Sequence, residues 1–325
     1  MAELLKVRDL RTNFYTYRGV VKALNGVDLT IGREEFFGLA GETGCGKSVT
    51  ALSIMRLIEE PGRIEGGEII FDGRDMLKLS EEEMRRVRGK EISMIFQEPK
   101  TALNPVFKVN FQIAEAISGA YNLDIKEALK KTEGVLKEVE MADPSKVAEQ
   151  YPHELSGGMA QRVLIGMALS TKPKLLIADE PTSSLDVSIQ AQIMKLMNDL
   201  VKRLKISVLL ITHDLGLIAE NCDRMAIMYA GSVVECGDVR TIFKKPGHPY
   251  TIGLLKALDM SQERGKLPTI EGIVPDLVNP PPGCRFHPRC PSATRICGME
   301  KPRAVEISDG HSIACFLYDA GEIKG

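Results

Sequence analysis

Along most of the chain, short apolar runs alternate with amphipathic stretches. The segment "EEFFGLAGETGCGKSVTALSIMRLI" (34–58) reads as a buried strand over about 35–40, a glycine-rich turn, and a helix with apolar residues at helical spacing from Ser48 to Ile58. Similar apolar runs recur at "GEIIFDG", "EISMIFQ", "KLLIADE", "SVLLITHD" and "RMAIMYAG", several of them separated by amphipathic stretches such as "SIQAQIMKLMNDLVKRL". This alternation predicts an α/β core with a parallel sheet. Residues 100–172 break the rhythm: "FQIAEAI" and "IKEALKKTEGVLKEVE" are helically patterned and no convincing strand intervenes, so a helical subdomain inserted into the sheet domain is expected. Beyond about residue 236, "KKPGHPY", "IVPDLVNPPPGC" and "FHPRCP" concentrate proline, histidine and cysteine. The expected organisation is a main domain over 1–235 and a small, irregular one over 236–325.

Composition narrows the class without naming a chemistry. A chain of 325 residues can bury a sizeable core, so stability does not require disulfides. Lys plus Arg (42) nearly balances Asp plus Glu (44), which argues against a general affinity for nucleic acid. The start "MAELLKVRDL" has no signal-peptide pattern, and runs such as "SVLLIT" are too short to span a bilayer. A cytoplasmic location is expected, and there the cysteine cluster in the tail points to metal or cluster chemistry more than to disulfides, while Cys45, Cys222 and Cys236 are scattered.

Residues 41–48, "GETGCGKS", match G-x-x-x-x-G-K-[ST] between a predicted strand and a predicted helix. Gly41, Gly44 and Gly46 allow a tight loop whose amides face a phosphate, Lys47 neutralises β- and γ-phosphate charge, and Ser48 is a Mg²⁺ ligand. Glu42, Thr43, Cys45 and Val49 complete the nucleotide-binding segment. Cys45 is an ordinary loop residue, since no partner that would activate it is visible. In "LLIADE" (175–180) an apolar strand ends in two carboxylates, suited to Mg²⁺ through water (Asp179) and to polarising an attacking water (Glu180). GTPases, kinases, helicases and transport ATPases all remain open on these two motifs.

"LSGGMAQR" (155–162) decides among them, because it resembles the signature of ATP-binding cassette (ABC) ATPases. The resemblance implies that Ser156, Gly157 and Gly158 cap the γ-phosphate held by an opposing subunit, which makes dimerisation part of the mechanism. It implies further that Gln97 in "IFQEP" senses Mg²⁺ and the attacking water, and that Asp186 in "SSLD" lies in the dimer-contact loop. His213 in "LLITHD" is the implied γ-phosphate switch, and Phe14 in "TNFYTYRG" is the aromatic stacked on adenine. Lys47, Gln97, Glu180 and His213 are then the catalytic set acting on MgATP.

Two local features resemble the D-type ATPase subunit of oligopeptide/dipeptide importers. One is Met159 in the signature, and the other is the tail, "HPYTIGLLKAL" with "VPDLVNPPPGCRFHPRCPSA". "TALNP" and "YPHELSGG" also fit, whereas Ala160 departs from the larger residue common there. The implied partners are a second, non-identical ATPase subunit, two transmembrane permease subunits and, indirectly, an extracellular solute-binding protein, with the chain peripheral on the cytoplasmic face of the membrane. Other readings of the cassette are a soluble ATPase working on DNA or ribosomes and an ATP-dependent dimerisation module. Cys284, Cys290, Cys297 and Cys315 form C-x5-C-x6-C-x17-C. Four thiolates suit Zn²⁺ or a [4Fe–4S] cluster; the wide spacing and the resemblance favour the cluster, with zinc the alternative, unliganded thiols the third reading, and His287 or His311 as replacement ligands.

Overall fold

The computed structural model describes residues 2–257 and 270–318. Its strands are β1 (Glu3–Thr16), β2 (Gly19–Gly32), β3 (Phe36–Ala40), β4 (Gly62–Phe71), β5 (Arg74–Asp75) and β6 (Ile92–Ile95). They continue with β7 (Leu175–Asp179), β8 (Ser207–Ile211), β9 (Arg224–Tyr229), β10 (Ser232–Asp238), β11 (Val305–Ser308) and β12 (His311–Ile313). Contacts divide the chain into two compact units, one of residues 1–2, 32–36 and 78–211, the other of residues 3–31, 37–77 and 212–325.

In the first unit β6, β7 and β8 pair in parallel, in register Ile92↔Leu175↔Ser207. Every residue of β7 and β8 is buried, which is why both read as unbroken apolar runs and not as alternating ones. The helix Val187–Leu204 buries Ile193, Met194, Leu196, Met197, Leu200 and Val201 along one side. Those positions recur every three or four residues, so the stripe faces inward, and full burial stabilises by about 1.5–3 kcal/mol per large side chain. Lys205 ends this helix in the left-handed conformation, with Lys202 and Arg203 in its last turn opposite the negative end of the helix dipole. Between β6 and β7 the chain is helical, from Pro99–Ala102 to Gly157–Ser170.

The second unit has two strand sets. One is ordered β2-β1-β4-β5, with β1 and β4 antiparallel and Leu5 opposite Phe71. This sheet is poorly marked in the sequence because polar residues on its open side interrupt the apolar positions, as in the burial pattern of β1. In the other set β3 pairs in parallel with β9, and β9, β10, β12 and β11 continue antiparallel. The tail is therefore not wholly irregular: Glu235↔Ile313 and Cys236↔Ser312 add it to the edge of β10. The helix expected to reach Ile58 stops at Ile54, where Met55 caps it and Arg56 takes a left-handed φ of 51°.

Candidate functional site

The phosphate loop connects β3 to the helix Lys47–Ile54. Its shape needs glycine at two points. Gly41 has φ 149° and an added Cβ would collide with the Met228 carbonyl oxygen; Gly46 has φ 108° and an added Cβ would lie 2.8 Å from Leu24 Cδ2. Gly46 caps the helix without a side chain, so no side-chain oxygen competes with a ligand for the first-turn amides. Behind the loop, Gly231 N–H donates to the Cys45 carbonyl (2.8 Å) and Thr50 Oγ1 donates to the Gly46 carbonyl (2.9 Å). Lys47 is 6% exposed and spans the loop, donating to the carbonyls of Gly41 (2.8 Å) and Glu42 (3.2 Å). Thr43, Gly44 and Ser48 are exposed, while Cys45 is buried and burial raises its thiol pKa, which leaves it a packing residue.

Phe14 is half-buried at the end of β1 and packs on Gly62, whose Cβ would sit 2.6 Å from Phe14 Cε1. Its neighbours Tyr15 and Tyr17 are exposed, the former donating to Glu65 Oε1 at 2.8 Å. His213 lies exposed in the turn before the helix Leu215–Asn221, which Asp214 caps.

In the first unit Asp179 is buried at the end of β7. Glu180 follows in a left-handed conformation (φ 46°), its N–H donating to the Ile211 carbonyl at 2.8 Å. Such a conformation is strained for a residue with a Cβ, and here it turns the carboxylate out of the strand. Gln97 Nε2 donates to Glu180 Oε2 at 3.3 Å, so the two residues expected to manage the attacking water meet directly. Ser156 caps the helix Gly157–Ser170, its hydroxyl accepting from Met159 N–H at 3.3 Å. Ser156 is exposed, with Gly157 and Gly158 half-exposed, which leaves a helix N-terminus open to an anion. Asp186 is exposed at the start of the helix Val187–Leu204.

Cys284, Cys290, Cys297 and Cys315 line one cavity of about 110 Å³ together with His248 and His287. The Cys284 pKa is pushed up to about 11, first by burial and then by the other three sulfurs. Burial also raises Cys290 and Cys315. Thiols that disfavour one another's charge need a bound cation before they can ionise together. Among the described residues, however, no three Cys, His, Asp or Glu side chains are placed to hold a metal ion, which supports neither the cluster expectation nor the zinc alternative. His311 is no replacement ligand, because its Nε2 lies 2.8 Å from the buried Glu235 Oε1. Burial holds His248 neutral, with a pKa of about 4, and its Nδ1 accepts the Tyr250 N–H at 3.1 Å.

Two residues outside the expected set touch the phosphate loop. Tyr250 Oη accepts the Glu42 N–H at 3.1 Å, and Arg289 pairs with the Glu42 carboxylate at 3.0 Å. Neither contact is local, and the only advance signal was that both residues sit in the same proline-, histidine- and cysteine-rich stretches.

A strand-loop-helix phosphate cradle, a carboxylate pair ending a buried strand and an open capped helix together define a cassette ATPase. Residues 24–183 match the ABC transporter family, and residues 234–297 match the oligopeptide/dipeptide transporter C-terminal region. The "Probable peptide ABC transporter ATP-binding protein y4tR" of Sinorhizobium fredii is 50% identical over 317 residues, covering 96% of this chain and 94% of that protein. The oligopeptide transport ATP-binding protein OppD of Bacillus subtilis is 48% identical and covers 100% and 92%; the dipeptide transport protein DppD of the same organism is 45% identical over 98% and 96%. The dimeric structure of MJ0796, a bacterial ABC transporter cassette, superimposes with a TM-score of 0.65 at 27% identity, covering 73% of this chain and 99% of that one. The chain belongs to the ATP-binding subunits of ABC transporters, and its reaction is ATP hydrolysis. No helix among the described residues is long and apolar enough to cross a membrane.

Proposed function

We propose that this chain energises the import of di- or oligopeptides, docked on the cytoplasmic face of two permease subunits and paired with a second, non-identical ATPase subunit. The observation that carries this reading is full-length similarity to peptide-transport ATP-binding proteins, including the C-terminal region. In the proposed cycle the amides of 41–48 and Lys47 bind the triphosphate, and Phe14 stacks on adenine. The Ser156–Gly158 helix start caps the γ-phosphate of the opposing subunit, with Asp186 at the contact between subunits. Bound Mg²⁺ would supply charge neutralisation on the phosphates. Glu180, steadied by Gln97, takes a proton from the attacking water while His213 contacts the γ-phosphate. Closure on ATP and reopening after hydrolysis drive the permeases. Glu180→Gln tests the assignment: MgATP binding persists while turnover of the assembled transporter falls by about 10²-fold or more. Peptide uptake at the normal rate by that variant would overturn it.

We also infer that the four-cysteine cavity takes an iron–sulfur cluster, with zinc the alternative. Support comes from the donor set, four thiols around one space. Cys284, Cys290, Cys297 and Cys315 would hold it, and its contribution would be to crosslink a proline-rich segment that has little core of its own. Anaerobically purified protein should contain iron and sulfide in equal amounts, both lost in Cys290→Ser; an iron-free, fully folded preparation would exclude the cluster.

A further inference from the structure

The phosphate loop carries a residue that works against its purpose. Glu42 is the second residue of a loop built to gather positive N–H dipoles around a highly charged anion, and its carboxylate adds a negative charge beside that anion. The extension answers it. Arg289 Nη1 donates to Glu42 Oε2 at 3.0 Å and Nη2 to Oε1 at 3.4 Å, a two-point grip in which the arginine side chain is 7% exposed and the glutamate 24%.

Everything else about Arg289 fixes that grip. Its Nε donates to the Glu271 carbonyl at 3.0 Å, Nη2 to the Ile270 carbonyl at 3.1 Å, and Nη1 to Tyr229 Oη at 3.3 Å. The guanidinium also lies 5.8 Å from the centroid of the Tyr229 ring. All five N–H directions of the side chain are used, so its orientation is set before it reaches the loop. Tyr250 Oη accepts the Glu42 N–H from the same extension, which ties the backbone of that residue as well as its charge.

We propose that Arg289 is a positioning residue for ATP hydrolysis: it neutralises Glu42 and holds the phosphate loop in the form that receives the nucleotide triphosphate. Its place next to Cys290 and the separation of 247 residues from Glu42 make it, beside Tyr250, a link by which the extension reaches the phosphate loop. This assignment rests on the reading of 41–48 as the phosphate site, and loss of MgATP binding by the unaltered chain would defeat that reading first.

The test is KM for ATP and kcat in the assembled transporter, with nucleotide affinity of the full chain measured by fluorescence of a methylanthraniloyl-ATP probe. Arg289→Ala should raise KM about tenfold with kcat within about twofold, and Arg289→Lys, which keeps charge without the fork, should fall in between. Glu42→Gln should lower KM below the unaltered value, and adding it to Arg289→Ala should bring KM back to within about twofold of the unaltered protein. A tenfold KM rise in the double variant, or any rise in KM from Glu42→Gln alone, would overturn charge neutralisation as the role. The Glu42→Gln arm stands even where Arg289→Ala fails to fold.

Discussion

The phosphate loop is shaped by its own backbone, whereas the extension that touches it is held in place by side chains reaching from far along the chain. In the loop, glycines with φ values of 149°, 79° and 108° (Gly41, Gly44, Gly46) create the curve, and the lysine that spans it is bonded to carbonyls five and six residues away. In the extension, β12 adds to β10 and β11 adds to β12, and the rest is joined by Glu235, Arg285 and Arg289. A backbone-shaped site tolerates no Cβ at its tight points but is indifferent to many side chains. A site joined by side chains inverts that sensitivity. The sharpest break of the comparison is therefore Gly41→Ala: the new methyl cannot coexist with the Met228 carbonyl, and MgATP affinity should fall about 100-fold or more. Titration with the fluorescent nucleotide measures it, and affinity within threefold of normal would mean that the loop is not backbone-determined.

The same contrast explains what could be read in advance. A backbone-shaped loop must be contiguous, so "GETGCGKS" marked the strand-loop-helix turn at once, and buried parallel strands such as β7 and β8 showed themselves as unbroken apolar runs. The signature serine was picked out by resemblance to a family motif, and in the structure Ser156 caps the helix Gly157–Ser170, a local arrangement. The β1 and β2 strands were not legible, because their open side carries polar residues that blur the pattern. The contacts Glu42 to Arg289 and Glu235 to His311, separated by 247 and 76 residues, leave no local periodicity to detect. Cysteine spacing grouped Cys284, Cys290, Cys297 and Cys315, and all four line one cavity.

Next in size is the effect of unpinning the extension. Glu235 is 1% exposed and its carboxylate accepts from Gly247 N–H (2.8 Å) and His248 N–H (2.9 Å), with His311 Nε2 at 2.8 Å. Glu235→Ala strands three polar groups in a site closed to water, at a cost of about 3–5 kcal/mol. Thermal unfolding should show an early transition, and brief proteolysis should remove the tail while MgATP binding by the remaining cassette weakens without vanishing. A single unfolding transition at the normal midpoint would mean that the extension is held by its strand pairing and not by this buried carboxylate.

The smallest effect lies where the two kinds of construction meet. Tyr250 is fully buried, tilted against Tyr229 with ring centroids 4.7 Å apart and against Phe286 at 5.4 Å, and only its hydroxyl reaches the loop. Tyr250→Phe keeps the ring volume and packing but leaves the Glu42 N–H without its acceptor. A neutral hydrogen bond of this kind contributes about 1 kcal/mol, so KM for ATP should rise roughly fivefold with kcat unchanged. The variant also separates the two ties on Glu42, because it leaves the carboxylate and Arg289 untouched. If KM does not move, the loop keeps its form without help from the tyrosine, and the extension acts on it through charge alone.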